Sequence, residues 1–402
     1  MSRVFARLVG QQAVENELVA AAHAARGDSA HGAATVGTMT HAWLITGPPG
    51  SGRSIAAVCF AAALQCTSPG VPGCGECRAC ATTMAGTHAD VRRVIPEGLS
   101  IGVDEMRAIV QTASRRPGTG RWQIVVIEDA DRLTEGAANA LLKVVEEPPP
   151  STVFLLCAPS VDPEDIAVTL RSRCRHVALV TPPASAIARV LVDNDGIDAE
   201  QAQWAASVSG GHVGRARRLA TDPDARERRR RALALVRDAA TPSRAFAAAE
   251  DLVAAAEAEA KALTAGRDES ETEELRTALG AGGTGKGTAG SMRGAAGALK
   301  DLEKRQKSRL TRASRDALDR ALIDLANYFR DALLVSSGSG HLTANHPDMR
   351  DRIESLAEHA PPDRLLRCIE AVLECREALA VNVKPKFAVD AMVATVGQAL
   401  RN

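Results

Sequence analysis

Short apolar runs alternate with helix-patterned stretches along the first part of the chain. Five runs have the length and apolar content of buried strands: residues 42–46, 91–95, 124–127, 153–157 and 176–180. Helical periodicity fills most of the intervals between them. Because strands that alternate with helices form parallel sheets with helices on both faces, the pattern predicts an α/β domain built on a parallel five-stranded sheet.

The strand pattern stops after Pro182 and Pro183, and the rest of the chain is rich in Ala, Leu and Arg at helical spacing. A turn cluster at 221–224 divides this helical half. We therefore expect an α/β domain at 1–180, a small helical lid domain at 181–223 and an all-α domain at 224–402. Residues 280–297 are rich in Gly, Ala, Ser and Thr and follow an acidic stretch, which predicts a flexible insertion at about 266–297.

The composition narrows the range of functions. The chain has 402 residues with 49 basic and 49 acidic side chains, so attraction to a polyanion has to come from local patches. Aromatic residues make up 2%, which argues against modules that stack bases on rows of aromatic rings. No apolar run approaches the ~20 residues of a membrane span, and the first residues show no secretory pattern. We expect a cytoplasmic protein with no membrane partner.

Four of the nine cysteines crowd into residues 66–80. Cys66, Cys74, Cys77 and Cys80 follow the spacing C-x7-C-x2-C-x2-C, with prolines and glycines turning the chain between them. Four thiolates on tight turns suit tetrahedral Zn²⁺ and leave no open position for catalysis, which predicts a structural zinc site. An iron–sulfur cluster and free thiols are the alternatives, but the proline that follows the last cysteine of a ferredoxin run is missing.

A glycine-rich loop between a predicted strand and a predicted helix has the pattern of a phosphate-binding loop. Gly47, Gly50 and Gly52 let backbone N–H groups turn inward, and Ser54 opens the helix. The position that normally holds lysine is Arg53, whose planar guanidinium matches the pocket between phosphates poorly. Two interpretations stay open: a degenerate site that binds ATP or ADP with Mg²⁺, and a retained turn that binds no nucleotide.

A second acidic element follows the predicted strand at 124–127. Glu128 and Asp129 stand where a metal-binding acid and a water-activating acid are expected, but in the reverse of the usual Asp-then-Glu order. This order disfavours hydrolysis and leaves solvated or capping carboxylates as the alternative. A similar glycine–lysine spacing at 280–287 has no strand before it, so we expect no phosphate site there.

Two groups of arginines stand out. Residues 115–116 and 228–231 are the densest basic clusters. Either could contact phosphates without sequence preference, and a solvated helix face is the alternative. For 228–231 the neighbouring acids favour the solvated face.

The order of several motifs resembles the AAA+ clamp-loader family of bacterial DNA polymerase III. The stretches AANALLKVVEEPP at 137–149, VFLL at 153–156 and LRSRC at 170–174 carry the resemblance. VGQ at 9–11, HAWLITGPPG at 41–50, the cysteine module after the first glycine-loop helix and NVKPK at 382–386 add to it. The resemblance is good over residues 1 to about 220 and weaker beyond.

The resemblance implies a three-domain subunit: an AAA+ fold, a helical lid and a helical collar that joins five subunits in an open ring. Implied partners are the motor subunits (gamma/tau), the delta subunit, the sliding clamp and primer-template DNA. Arg173, in the Ser-Arg-Cys motif, matches the arginine finger that reaches a neighbour's ATP. The polar sensor residue after the fourth strand is replaced in Cys157-Ala158-Pro159, and Gly214 stands where motor subunits carry an arginine. We expect no autonomous ATPase activity.

Three other functions stay in view. An autonomous AAA+ ATPase, such as a loader motor or a repair or helicase loader, would require turnover by the chain alone. A non-catalytic, zinc-dependent DNA-binding protein would require DNA binding by the isolated chain at moderate salt. A pure scaffold would make Arg173 dispensable for catalysis.

Overall fold

The computed structural model describes residues 3–27, 39–279, 291–339 and 344–401. The chain divides into two compact units. Unit 1 consists of Met1–Pro96 and Ser100–Ala220, and unit 2 consists of Glu97–Leu99 and Thr221–Asn402.

Unit 1 is built on a parallel sheet of five strands in the order β2-β3-β4-β1-β5. The strands are β1 Ala42–Thr46, β2 Val91–Val94, β3 Gln123–Ile127, β4 Thr152–Ala158 and β5 Arg175–Ala178. Every residue of β1, β3 and β4 is buried, as continuous apolar runs require when both faces of a sheet are covered. The predicted α/β fold with a parallel five-stranded sheet is confirmed, and the strand bounds differ from the expected ones by at most two residues.

Nine α-helices are described in unit 1. They are α1 Gln12–Arg26, α2 Arg53–Gln65, α3 Arg78–Ala85, α4 Val103–Ala113, α5 Glu135–Glu146, α6 Val168–Arg171, α7 Ala184–Asp193, α8 Ala199–Ser207 and α9 Val213–Thr221. Successive residues of β1 enter two different cores, Trp43 with Phe60 of α2 and Leu44 with Leu141 of α5. The sheet is therefore covered on both faces, and its loops at the carboxyl ends of the strands are held in place from both sides.

Unit 2 is all-helical over its described residues. Its helices are α10 Pro223–Ala239, α11 Pro242–Ala278, α12 Ser291–Ser336, α13 Arg350–His359, α14 Pro362–Ala380 and α15 Pro385–Arg401. One apolar core, which includes the fully buried Leu322, Phe329, Val372 and Val389, joins them. Although α11 and α12 have 37 and 46 residues, no described helix is apolar enough over a sufficient length to cross a membrane.

The segment predicted as a flexible insertion, about 266–297, overlaps two long helices. Residues 266–278 continue α11, and α12 already begins at Ser291. The acidic stretch is helical because Arg309 of α12 pairs with Asp268 at 2.5 Å and with Glu271 at 2.9 Å. Residues 280–290, which include the glycine–lysine spacing at 280–287, lie outside the described residues.

Candidate functional site: a phosphate loop, a cysteine cluster and an exposed arginine

The glycine loop lies between β1 and α2, at the carboxyl edge of the sheet. Gly50 and Gly52 have φ angles of 85° and 99°, in the left-handed region that glycine tolerates best. The N–H of Gly47 donates to the carbonyl of Pro159, 3.2 Å away, which ties the loop to the segment after β4. The loop leads directly into α2, whose first turn carries Arg53 and Ser54. Its backbone therefore has the strand, loop and helix arrangement of a phosphate cradle.

Two polar side chains of this loop have buried atoms without a hydrogen-bond partner among the described residues. They are the hydroxyl of Ser51 and Nη1 of Arg53. Because buried donors are normally satisfied, two such atoms in one cradle fit a bound phosphate group. The residues present thus suit an anion, and Arg53 would hold its charge in place of the missing lysine.

The acidic element beside the loop is already paired within the chain. Nε of Arg93, on the neighbouring strand β2, donates to Oε1 of Glu128 at 2.7 Å. Burial, with the nearby Asp129 charge added, raises the pKa of Asp131. Sequence reasoning missed Arg93, because its contact depends on the pairing of β2 with β3, which places Arg93 opposite Val126. The acid that would assist hydrolysis is neutralised by a permanent cation.

A histidine lies against the phosphate loop. A Cβ added at Gly50 would come within 2.5 Å of Cα of His212, so only glycine fits there. His212 precedes α9, and its Nδ1 accepts a hydrogen bond from the N–H of Arg215 at 3.2 Å. The sequence singled out Gly214, whereas the residue packed against the loop is His212.

The four cysteines come together after α2. Cys66, Cys74, Cys77 and Cys80 have sulfur atoms that all lie within 4.8 Å of one another, and the sulfurs of Cys66 and Cys77 are 3.9 Å apart. A tetrahedral zinc site with Zn–S bonds of about 2.3 Å needs sulfur–sulfur separations of roughly 3.8 Å. The arrangement can hold a metal ion after small side-chain movements, and the all-thiolate donor set suits Zn²⁺.

The chain around the cysteines lowers the pKa of two of the four thiols, those of Cys66 and Cys77. Burial alone would raise the pKa of the Cys77 thiol, but hydrogen bonds from backbone groups of Cys80 and Thr67 outweigh it and lower this pKa to about 6. Arg26 of α1 holds the loop from outside by donating to the carbonyls of Cys66, Ser68 and Gly70 at 2.9–3.0 Å. This second layer of contacts fixes the loop, as is usual around metal ligands.

Arg173 follows the short helix α6, directly before β5. Its Nη2 lies 2.6 Å from Oε1 of Glu146, at the end of α5, and its Nη1 donates to the carbonyl of Thr169 at 3.0 Å. The side chain is 39% exposed and that of Glu146 is 42% exposed. The guanidinium therefore lies at the surface of unit 1, with its one described carboxylate partner also open to solvent.

Family models match two segments of the chain. The model described as DNA polymerase III, delta subunit, matches residues 28–183, and that of the delta subunit, C terminal, matches residues 313–385. A delta-prime subunit of DNA polymerase III from Escherichia coli is 40% identical over 146 residues, 36% of this chain and 43% of the relative. One from Pseudomonas aeruginosa is 39% identical over 186 residues, 44% of this chain and 55% of the relative. The chain thus spans about half the length of these curated relatives.

A motor-type relative and a solved structure also match. The tau subunit of Bacillus subtilis DNA polymerase III is 36% identical over 166 residues, 41% of this chain and 29% of the relative. A gamma-subunit-related protein from Thermotoga maritima aligns over 89% of this chain and 94% of that one, with 14% identity and a TM-score of 0.38.

The parallel sheet, the phosphate loop after β1 and the helices that follow the sheet have the arrangement of an AAA+ fold. Both family models are of DNA polymerase III delta subunits, and over its matched segments the chain is similar to delta-prime subunits of that polymerase.

Proposed function

We propose that this chain works as the delta-prime subunit of a bacterial clamp loader. It assembles with gamma/tau motor subunits and a delta subunit, and the complex places the sliding clamp on primed DNA. In this role the chain supplies Arg173 to ATP bound by a neighbouring subunit and does not hydrolyse ATP itself. The observation that carries the proposal is the surface position of Arg173, where a guanidinium is available to a second subunit.

The pair between Arg173 and Glu146 supports a movable finger. Both side chains are partly exposed, and surface ion pairs of this kind contribute about 0–1 kcal/mol. Exchanging the Glu146 carboxylate for a phosphate therefore costs little. An arginine provided in trans stabilises the charge that develops during phosphoryl transfer and accelerates such reactions by roughly 10³–10⁵.

The lack of ATP turnover proposed for the chain itself rests on two features of its own site. Arg53 replaces the compact lysine charge, and Glu128 is held by Arg93 at 2.7 Å. Ser51 and Arg53 still offer unpaired donors, so the loop can hold an anion without cleaving it. When bound, ATP or ADP with Mg²⁺ would supply the phosphates for this cradle, and a static nucleotide agrees with the proposal.

The cysteine cluster has a structural role in the proposed function. A zinc ion bound by Cys66, Cys74, Cys77 and Cys80 would have four protein ligands and no open position for a substrate. Its contribution is to fix the segment between α2 and α3.

Reconstitution tests the proposed assignment. The chain is mixed with gamma/tau, delta, clamp and primed DNA from the same organism, and clamp loading is measured with and without it. Loading that depends on this chain, together with no ATP turnover by the chain alone, is the expected result. Loading that proceeds without the chain, or ATP turnover by the chain alone, would contradict the assignment.

A further inference from the structure

The two arginine clusters found in the sequence have different surroundings. The arginines at 228–231 all form ion pairs with carboxylates of unit 2. Arg229, 5% exposed, makes two hydrogen bonds to Asp348 at 2.7 and 3.0 Å, Arg228 pairs with Asp222, and Arg230 and Arg231 both pair with Glu227. These arginines stabilise unit 2, and the neighbouring carboxylates offset much of the positive charge that a ligand could meet.

The arginines near residue 115 lack such carboxylate partners among the described residues. Arg92, Arg115, Arg116 and Arg121, here called the arginine patch, are all exposed. Throughout the described part of the chain, no carboxylate lies within 4 Å of their guanidinium groups, whereas many of the other arginines pair with one. Nη1 of Arg92 lies 3.4 Å from Oγ1 of Thr112 in the last turn of α4. Arg92 of β2 thereby joins Arg115 and Arg116, which follow that turn.

A buried carboxylate fixes the loop that presents the patch. Asp90, 4% exposed, accepts hydrogen bonds from the N–H groups of Gly118, Thr119 and Gly120 at 2.6–2.7 Å and from the Thr119 hydroxyl at 2.8 Å. Burial would raise the pKa of Asp90, but these hydrogen bonds outweigh it and lower the pKa to about 2. The loop is therefore anchored by a charge that stays ionised and is fully engaged inside the protein.

A second buried side chain holds the end of the same loop. Gln65, 1% exposed, accepts a hydrogen bond from the N–H of Arg121 at 3.0 Å and donates to the carbonyl of Trp122 at 2.5 Å. A Cβ added at Gly120 would come within 2.3 Å of Oε1 of Gln65. The loop therefore packs so closely against Gln65 that any side chain at position 120 would displace the Gln65 amide. The backbone carrying the patch is thus preorganised, which reduces the entropy lost on binding.

The chemistry of the surface points to a polyanion. Residues 114–121 read SRRPGTGR and, apart from Pro117, contain no aliphatic or aromatic side chain that could anchor a protein interface. Guanidinium groups form paired hydrogen bonds with phosphates, and a phosphate backbone offers partners to arginines that have no carboxylate nearby. The loop immediately precedes β3, at the amino ends of the parallel strands, so it is separate from the phosphate loop at their carboxyl ends.

We propose that the arginine patch binds the phosphate backbone of duplex DNA without reading its sequence. The proposal rests on the clamp-loader function only for the choice of DNA as the polyanion. It does not involve Arg173 or ATP turnover, so it can fail while the clamp-loader assignment stands, and the reverse also holds.

The test compares two double variants of the full chain that remove the same charge. Arg115→Gln/Arg116→Gln removes two patch arginines, and Arg230→Gln/Arg231→Gln removes two exposed arginines that pair with Glu227. Binding to a fluorescently labelled duplex of mixed sequence is measured by anisotropy over a series of salt concentrations. Circular dichroism verifies the fold, and Arg115→Lys/Arg116→Lys keeps the charge.

The patch variant is expected to bind roughly tenfold more weakly at low salt, with the slope of log affinity against log salt reduced by about two. The Arg230/Arg231 variant and the lysine variant are expected to keep the wild-type slope. Equal losses in the two glutamine variants would overturn the proposal, because bulk charge would then explain binding. Wild-type DNA affinity in the patch variant would also overturn the proposal. If that variant kept its DNA affinity but weakened subunit assembly, the patch would bind an acidic protein surface and not DNA.

Discussion

At the scale of single residues, His346 is the most consequential buried charge of unit 2. It is 1% exposed, with its ring nitrogens 3.5 Å from Asp331 and 3.9 Å from Asp324. Burial lowers the pKa of His346 and the nearby Arg229 charge acts in the same direction, but the two carboxylates outweigh both and raise it. The folded protein therefore holds this proton to a higher pH than the unfolded chain does.

The raised pKa predicts a pH-dependent stability. Because the folded-state pKa lies above the unfolded value of about 6.5, the contribution of His346 is complete below that pH and is lost as pH rises through the folded-state value. Urea unfolding of unit 2 as a function of pH should show this decline, and His346→Gln should flatten it. His359→Gln, which alters an exposed histidine at the end of α13, should keep the wild-type profile. An unchanged profile in His346→Gln would contradict the assignment.

The cysteine cluster makes a second prediction at this scale. Purified protein should contain about one zinc ion per chain by metal analysis, and Cys77→Ser should lose it and lower the unfolding temperature of unit 1. Cys174→Ser is the matched control, since Cys174 is a half-buried cysteine outside the cluster. Metal-free wild-type protein, or equal metal content in the two variants, would show that the four thiols have no structural metal.

Residue-scale features differ in how far the sequence predicts them. The four cysteines could be found from spacing alone, because close ligands on tight turns lie close in space. The pair of Arg93 with Glu128 and the contact of His212 with Gly50 could not, because each depends on a long-range packing register that no local pattern encodes. The arginine patch was only partly predictable. Arg115 and Arg116 are recognisable in the sequence, but only the fold shows that no described carboxylate pairs with them.

At the scale of elements, the buried strands were the most predictable features and the long helices the least. Strands covered on both faces are nearly continuous apolar runs, so β1, β3 and β4 are recognisable by composition. The extension of α11 to Ala278 depends on contacts with α12, more than thirty residues away along the chain. The acidic stretch suggested flexibility in the sequence, since Arg309, which pairs with Asp268 and Glu271, is distant along the chain.

Arg309 should therefore stabilise the packing of α12 against the acidic part of α11. Its side chain is 11% exposed and bonds to both Asp268 and Glu271. Arg309→Ala leaves Asp268 without its described cationic partner and Glu271 with Arg267 alone, and we expect a loss of about 2 kcal/mol in the free energy of unfolding, measured with urea. Arg305→Ala, at an exposed position of the same helix, should change it by less than about 0.5 kcal/mol. Similar effects of the two substitutions would contradict the role of the Arg309 pairs.

At the scale of the whole molecule, unit 1 carries every feature that the proposed function uses. The phosphate loop, the cysteine cluster, Arg173 and the arginine patch all belong to it, while unit 2 is a helical assembly with one core of its own. The family was visible in the sequence because its motifs concentrate in unit 1. The role of Arg173 depends on a neighbouring subunit, so the single chain supplies only its position and its exposure.

The most direct test of the account is the ATPase rate of a loader reconstituted with Arg173→Ala, in the presence of clamp and primed DNA. The control is Arg171→Ala, which removes an exposed arginine two residues away that donates to the carbonyl of Val161. The account predicts that Arg173→Ala lowers turnover about tenfold or more while the complex still assembles, and that Arg171→Ala retains the wild-type rate. Wild-type turnover in a fully assembled Arg173→Ala loader would contradict the central claim and would leave Arg173 as a structural residue of a scaffold subunit.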